Sequence, residues 1–518
     1  MMRNFKLRSM LARGILAIAA LTTLAGGLPS PAAAEPEANK TLYDKVDEFM
    51  NESVEKLRLP GAAIGIVKGD RILYTKGYGI SGPDRQPVTP QTPFVLGSTS
   101  KSITALAVMQ LVEAGKVDLE APVQRYLTWF RLADEEASKR ILVKHLLFQT
   151  SGLSTHSGQV SLTRGGKPLE EHLKSLRNTS LASPVGSAYQ YSNLNYDILG
   201  GIVEAVSGMP FGQYVKESIF APLGMTSSYP SAEEAPAGEV ATGYQPVLGF
   251  MVPTKQAHHP GTTPSGYLVS SAADMSNYLI AQMNGGRYKD REVLSEAGVN
   301  RMHAPAAYMW DGMHYAMGWT TGGGVVSHDG STENTYSKMM IDGEYGIVLL
   351  INAMDFFHID SYDAILTGIR SLVHDRPPVP VPSDYTRIFA ILNAILLIVA
   401  AAGVWSVFRL FRRDPKAAGG PVRRVARILF IVAFYLLIPG AVLALVPRLL
   451  VPWPVVRLFL PGYGHALFLA PIAALALGAA RLAVLARAGR RPRLVPMADR
   501  ATLGPGGGPV GRPGARRS

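Results

Sequence analysis

Ser98-Thr99-Ser100-Lys101 places a hydroxyl and an amine three residues apart. A helix starting at or near Ser98 would carry both on one face, a single turn apart. A serine hydroxyl is a poor nucleophile until its proton is taken, and a lysine can take it when burial or nearby cations lower its pKa. The helix N-terminus would add backbone donors that favour developing negative charge. The spacing alone is weak, because Ser53-Val54-Glu55-Lys56 matches it too. That second copy is expected to be a solvated pair on the polar face of an amphipathic helix. Context separates the two: Phe94-Val95-Leu96-Gly97 reads as a strand running into the Ser98 turn, and Ile103 to Val112 as the buried helix behind it.

Two more groups of residues join them. Tyr191-Ser192-Asn193 follows Gly186 in a loop, and His328-Asp329-Gly330-Ser331 follows the β-prone run Gly323 to Ser327. His156-Ser157-Gly158 and His259-Pro260-Gly261 repeat the histidine pattern, but both read as loop residues with no strand following. Only His328 has strand patterning on both sides, so the ordered combination carries the signal.

The elements that must position these residues show in the patterning. Thr41 to Leu59 has apolar residues at helical spacing. Ala62–Val67 and Arg71–Gly77 flank Gly69-Asp70, and Tyr336–Ile341 and Gly346–Asn352 flank Asp342-Gly343, giving two hairpins. Asp360 to Val373 reads as a helix, and residues 100 to 225 as mostly helical. Strands at both ends around a helical insert predict an α+β domain whose sheet is completed by its termini.

Composition sets the surroundings. Zero cysteines exclude a disulfide scaffold, a Cys nucleophile, Cys-ligated metal and cysteine lipidation. No metal or other cofactor is expected. Residues 1–34 read as an export signal: Arg3, Lys6, Arg8 and Arg13, an apolar stretch, then Ala32-Ala33-Ala34. Residues 35–376 form the expected folded exterior domain, 377–387 a stiff proline-rich stalk, 388–486 a three-helix membrane region and 487–518 a disordered basic tail. Ile388–Phe408, Ile428–Val446 and Leu460–Ala480 contain no charged side chain and approach the ~20 residues needed to span hydrocarbon. None has an ionisable residue at its centre, which speaks against a transport path. Pro439-Gly440 is expected to kink the second span, and Pro447, Pro452 and Pro454 to keep the 447–459 connection irregular.

Charge then assigns the sides. The 409–427 loop and the tail from 481 are strongly basic and are expected in the cytoplasm. Signal, spans, loop and tail together hold +20 of a chain whose net charge is +12, so residues 35–408 carry −8. A nucleic-acid partner is therefore not expected. The expected location is a bacterial cell membrane, with the catalytic domain outside and membrane lipid as a partner through three spans.

With these residues in place, the chain resembles the serine β-lactamase and penicillin-binding-protein family over about residues 41–375, particularly its class C-like branch. Val143-Lys144-His145-Leu146-Leu147 with Thr150-Ser151-Gly152-Leu153, and Pro264-Ser265-Gly266-Tyr267-Leu268, resemble that branch's connecting segments. The resemblance implies a largely antiparallel sheet flanked by helices, an all-helical subdomain and an active site between them. It implies Ser98 as nucleophile, Lys101 as proton acceptor or electrostatic support, and Tyr191 as proton shuttle to the leaving group. Asn193 would hold a substrate amide, His328 and Gly330 would line the site, and the backbone N–H groups of Ser98 and Ser331 would form the oxyanion hole. Gln149 stands where relatives often have histidine. His328 stands where they often have lysine, so a substrate carboxylate would be held less firmly.

The leading expectation is a membrane-tethered serine hydrolase that forms an acyl-enzyme on peptides with D-residues, including cell-wall peptide, or on amides or esters. A penicillin-binding D,D-carboxypeptidase or β-lactamase is a second reading. A non-catalytic envelope-sensing protein is a third.

Overall fold

The structure, a computed structural model, describes residues 41–163, 166–257, 259–382, 384–412, 420–449 and 451–490. The expected export signal, the centre of the first basic loop and the tail beyond 490 lie outside them.

An eight-stranded antiparallel sheet organises the domain. Numbering only its strands, these are β1 (Gly61–Lys68), β2 (Arg71–Gly79), β3 (Ala307–Trp310), β4 (Met313–Tyr315), β5 (Thr320–Gly322), β6 (Val325–Ser331), β7 (Tyr336–Asp342) and β8 (Tyr345–Ile351). Their order is β2-β1-β8-β7-β6-β5-β4-β3. The first and last strands in sequence order pair with each other, one strand in from the β2 edge, from Ala62 opposite Ile351 to Lys68 opposite Tyr345, so the sheet is closed by chain segments almost 300 residues apart, as the two terminal hairpins predict.

Alternation along β1 and β8 divides the interior into two cores. Ala62, Ile64, Ile66, Ile347, Leu349 and Ile351 face one core, shared with the helices Leu42–Lys56 and Ile359–Val373. Ala63, Val67, Val348 and Leu350 face the other, where helix Ala272–Met283 lies close. It lies so close that a Cβ on Gly65 would sit 2.2 Å from Ser276 Oγ. Thr41 caps the first helix with a reciprocal bond to Asp44. Ser53, expected on its solvated face, is instead buried and donates to the Phe49 carbonyl at 2.6 Å, while Lys56 pairs with Glu52 at the surface. A short hydroxyl can satisfy itself one turn back, and this lets it enter the apolar face.

Between β2 and β3 the chain is mainly helical. Helix Ser100–Glu113 is buried along almost its whole length, as a central helix should be. Asn193–Ser207 packs against it, surrounded by the shorter helices Val143–Leu147, Thr155–Ser161 and Leu169–Lys174. His156 is thus an exposed residue of a short helix, not of a loop.

The last part of the chain has three helices long and apolar enough to cross a membrane: Tyr385–Arg412, Pro421–Leu449 and Tyr463–Arg487. Val404 and Leu397 are 71% and 69% exposed, so this surface needs an apolar solvent to cover it. The middle helix passes through a π-helical turn, Val432–Leu437, just before Pro439. Such a turn accommodates a residue that offers no backbone N–H. Two expectations are corrected. The 447–459 connection contains a helix, Trp453–Phe459, because Pro452 and Pro454 occupy its start, where proline needs no donor. Pro447 lies inside the preceding helix, Ile438–Leu449. The proline-rich segment also packs on the domain: Val381 is buried, and Ser361 Oγ donates to the Pro382 carbonyl at 2.8 Å.

Candidate active site

The Ser98 turn is built by backbone geometry. Phe94–Val95 pairs with Val269–Ser270 in a small separate sheet. Gly97 then turns the chain at φ +57°, a value that glycine adopts without a Cβ penalty. Gly97–Thr99 form a 3₁₀ turn that runs directly into helix Ser100–Glu113. Thr99 Oγ donates to the Leu96 carbonyl at 2.9 Å, and Ser337 Oγ on β7 donates to the same carbonyl at 2.5 Å, tying the turn to the sheet.

Lys101 therefore points from the first helical turn into the domain, where its side chain is fully buried. Its Nζ lies 3.0 Å from Ser98 Oγ, 2.8 Å from Asn193 Oδ1 and 2.5 Å from the Ser265 carbonyl oxygen. Burial drives its pKa down to about 7, against opposing pulls from Asp197 and Asp329. The partner chemistry is informative. A carbonyl and an amide oxygen can only accept, so a neutral amine spends its two protons there and turns its lone pair to the Ser98 hydroxyl. In that state Ser98 is the donor, which is the arrangement for removing its proton.

Tyr191 lies on the other side. Its ring centroid is 4.9 Å from Lys101 Nζ, and its hydroxyl is hydrogen-bonded to Ser98. Burial, with Tyr315 next, holds its pKa well above the usual phenol value, so it remains protonated. The Tyr191-Ser192-Asn193 turn is held by Gln149, whose Oε1 accepts from Ser192 N at 2.9 Å and Asn195 Nδ2 at 2.5 Å. Gln149, at the position where relatives often have histidine, thus fixes the loop that presents both Tyr191 and Asn193. Asn193 is the first residue of a helix.

β6 closes the site from the sheet side. A Cβ on Gly330 would lie 2.7 Å from the Ser98 amide nitrogen, and one on Gly97 would lie 2.5 Å from that of Ser331. The two expected oxyanion donors are thereby brought to one junction, with no room for a side chain between them. His328 is buried on the same strand. Its Nε2 meets the Tyr315 hydroxyl at 3.2 Å and its Nδ1 the Asp329 carbonyl at 2.6 Å, so the ring is engaged at both nitrogens. Burial lowers its pKa to about 4, helped by Lys101 and Lys338 and opposed by Asp329. At neutral pH it carries no charge to offer a carboxylate.

This has a testable consequence. Between pH 6.5 and 4 the unfolded chain binds a proton at residue 328 that the native chain does not, so the contribution is complete above 6.5 and is lost as pH falls toward 4. Melting temperatures of wild type and His328→Gln are expected to converge from pH 7.5 to pH 4.5. A constant gap would contradict the neutral buried imidazole.

All seven expected site residues, Ser98, Lys101, Tyr191, Asn193, His328, Gly330 and Ser331, come together in one place. Sequence reasoning missed the Ser265 carbonyl and the aromatic group of Tyr189 and Tyr315, whose ring centroids are 5.7 Å apart. Pro264-Ser265-Gly266 stood out as a segment, but a backbone acceptor leaves no mark in residue type. His259, the other repeat of the pattern, is buried against Tyr267, at 4.7 Å between rings. Among the described residues no group of three or more His, Asp or Glu side chains could hold a metal ion.

A serine hydroxyl, an amine, a phenol and two backbone amides thus meet between a helical subdomain and an antiparallel sheet. The chain belongs to the beta-lactamase family of serine hydrolases, whose family model matches residues 46–368. It is 28% identical to Protein flp of Staphylococcus aureus (strain MRSA252) over 316 residues, 60% of this chain and 62% of that protein. It is 28% identical to Unguisins hydrolase ungD' of Aspergillus campestris (strain IBT 28561) over 330 residues, 59% of this chain and 60% of that protein. The match thus spans less than two thirds of either relative. The octameric penicillin-binding protein homologue from Pyrococcus abyssi superposes with a TM-score of 0.57 at 29% identity, covering 65% of this chain and 78% of that one.

Proposed function

We propose that the protein is a membrane-anchored serine hydrolase acting outside the cytoplasm, with Ser98 as nucleophile and esters, amides or peptides containing D-residues as substrates. The observation that carries this is the set of three partners around Lys101 Nζ, two of which can only accept and the third of which is the Ser98 hydroxyl. Ser98 Oγ attacks the substrate carbonyl as its proton passes to Lys101. The oxyanion forms between the Ser98 and Ser331 amides. The C–O or C–N bond then breaks, and the leaving group takes a proton from Tyr191, which recovers one from Lys101. Water attacks the acyl-enzyme by the reverse route and regenerates Ser98. Asn193 is free to offer its amide N–H to the substrate while its Oδ1 holds Lys101.

The neutral His328 supports esters, amides and peptides over carboxylate-dependent β-lactams. The topology is supported by charge: Arg409, Arg412, Arg423, Arg424, Arg427 and Arg487 cluster at the helix ends away from the domain. Tyr385, Trp453 and Tyr463 lie at the ends near it, where interfacial aromatics belong. Labelling with a fluorophosphonate, followed by peptide mass mapping, is expected to place the adduct on Ser98. A fluorescent penicillin on the same residue would favour the D,D-carboxypeptidase or β-lactamase reading. No adduct with either probe would leave a non-catalytic protein.

A further inference from the structure

The domain does not stand away from the three long helices; it is fastened to them. Tyr385, at the start of the first, stacks on His358 at 5.1 Å and donates to the Gly249 carbonyl at 3.1 Å. Eight residues further along, Asn393 Nδ2 donates to the Leu248 carbonyl at 3.0 Å and its Oδ1 accepts from Tyr463 of the third helix at 2.6 Å. Gln245 Nε2 reaches the Leu458 carbonyl at 2.7 Å. The hairpin Tyr244–Val247/Phe250–Pro253 is thus clamped against the helix ends, with its tip about 12 Å along the first helix, past the start of the charge-free stretch. At that tip Phe250 is 73% exposed, flanked by exposed Leu248 and Val252. An apolar patch fixed at that depth has lipid as its covering phase.

A second attachment leads to the catalytic residues. Helix Trp453–Phe459 joins the second and third long helices and is pinned to both, through Trp453 Nε1 to the Leu443 carbonyl at 3.0 Å and the Trp453 ring 5.1 Å from Phe468. It packs on helix Thr155–Ser161. Gly158 of that helix lies so close to the Tyr-Ser-Asn turn that a Cβ there would be 2.7 Å from the Asn193 amide nitrogen. Asn193 in turn holds Lys101. A single short helix therefore separates a connector at the membrane surface from the residue that positions the amine.

We propose that the cleft opens at the lipid headgroup layer and that the substrate of Ser98 is a membrane-held amphiphile, an acyl ester, amide or peptide carried on a lipid anchor in the same leaflet. This rests on the reading of Ser98 as nucleophile and of the three helices as spans. Confinement to one leaflet raises the effective concentration of such a substrate at a fixed site without any new contact.

The test uses full-length protein in phosphatidylcholine vesicles, with Ser98 carrying a fluorescent fluorophosphonate and a small fraction of lipids carrying an acceptor dye on the headgroup. Strong energy transfer is expected. In parallel, an acyl ester on a diacylglycerol anchor is expected to be hydrolysed at least about tenfold faster than the same ester on a soluble alcohol at equal bulk concentration. Phe250→Asp is expected to cut that preference several-fold while leaving soluble-ester turnover and labelling stoichiometry unchanged. A labelled Ser98 without energy transfer, or an anchored ester with no advantage, overturns this inference and leaves the hydrolase reading standing. Absence of labelling overturns both. The energy-transfer arm uses the wild-type chain, so it decides even if the variant does not fold.

Discussion

Replacing Lys101 by methionine is expected to lower turnover by about 10²–10⁴-fold while the domain stays folded. The side chain is wholly buried, and methionine fills a similar volume without carrying a charge into that space. What is lost is the acceptor for the Ser98 proton; what is left behind is the Asn193 Oδ1 and the Ser265 carbonyl without a donor. These stability terms oppose each other, so the melting temperature is expected to move by no more than about 8 °C. The wild-type pH profile gives the same residue a second check. Only the neutral amine can accept a proton, so kcat/KM is expected to rise as pH passes about 7 and then level off. The native amine loses its proton near 7 and the unfolded one near the ordinary lysine value of about 10.4, so stability rises with pH across that interval. Lys101→Met is expected to abolish both slopes. A variant that keeps its activity, or a wild-type profile flat from pH 6 to 8, would remove Lys101 from the role of base.

The parts of this site that could be read from the sequence are those whose chemistry depends on residue type at short range. Ser98 and Lys101 are three apart, and a helical turn converts that spacing into contact with no help from the rest of the fold. The flanking hairpins were legible for the same reason, since Gly69-Asp70 and Asp342-Gly343 punctuate strongly alternating segments. Strands β3 to β5 were not. They hold only three or four residues each, among them Tyr308, His314 and Thr321, too few to establish a period and too polar to look like core. Their position is set by β6, which they extend edge to edge. Ser265 was invisible as a ligand to Lys101 because its backbone does the work, and the role of Gln149 depends on a long-range approach to Ser192. The connector helix was hidden by its prolines, which are equally consistent with an irregular loop and with the first turn of a helix. Local chemistry was therefore legible ahead of the packing that tunes it.

Gly330 is where packing and chemistry meet, and Gly330→Ala is expected to damage both. The added methyl would lie 2.2 Å from the Leu96 carbonyl oxygen, 2.7 Å from Ser337 Oγ and 2.7 Å from the Ser98 amide nitrogen. The Ser337 hydroxyl could rotate away, but the two backbone atoms belong to the turn that presents Ser98. The Leu96 carbonyl is further held by Thr99 Oγ and Ser337 Oγ, so relieving the clash means lifting β6 from that turn. Overpacking of this kind costs about 1–3 kcal/mol. The larger effect falls on catalysis, because the separation opens between the Ser98 and Ser331 amides, and loss of one oxyanion donor lowers kcat by about 10²–10³-fold. Gly343→Ala separates the two effects. Gly343 lies in the β7–β8 turn at φ +59° with open space around its Cβ position, so alanine there strains the backbone without reaching the site. The Gly343 variant is expected to melt earlier and turn over normally, whereas the Gly330 variant loses kcat with little change in KM. Equal activity losses at matched stability would mean that β6 serves only to hold the fold, and that the oxyanion is stabilised elsewhere.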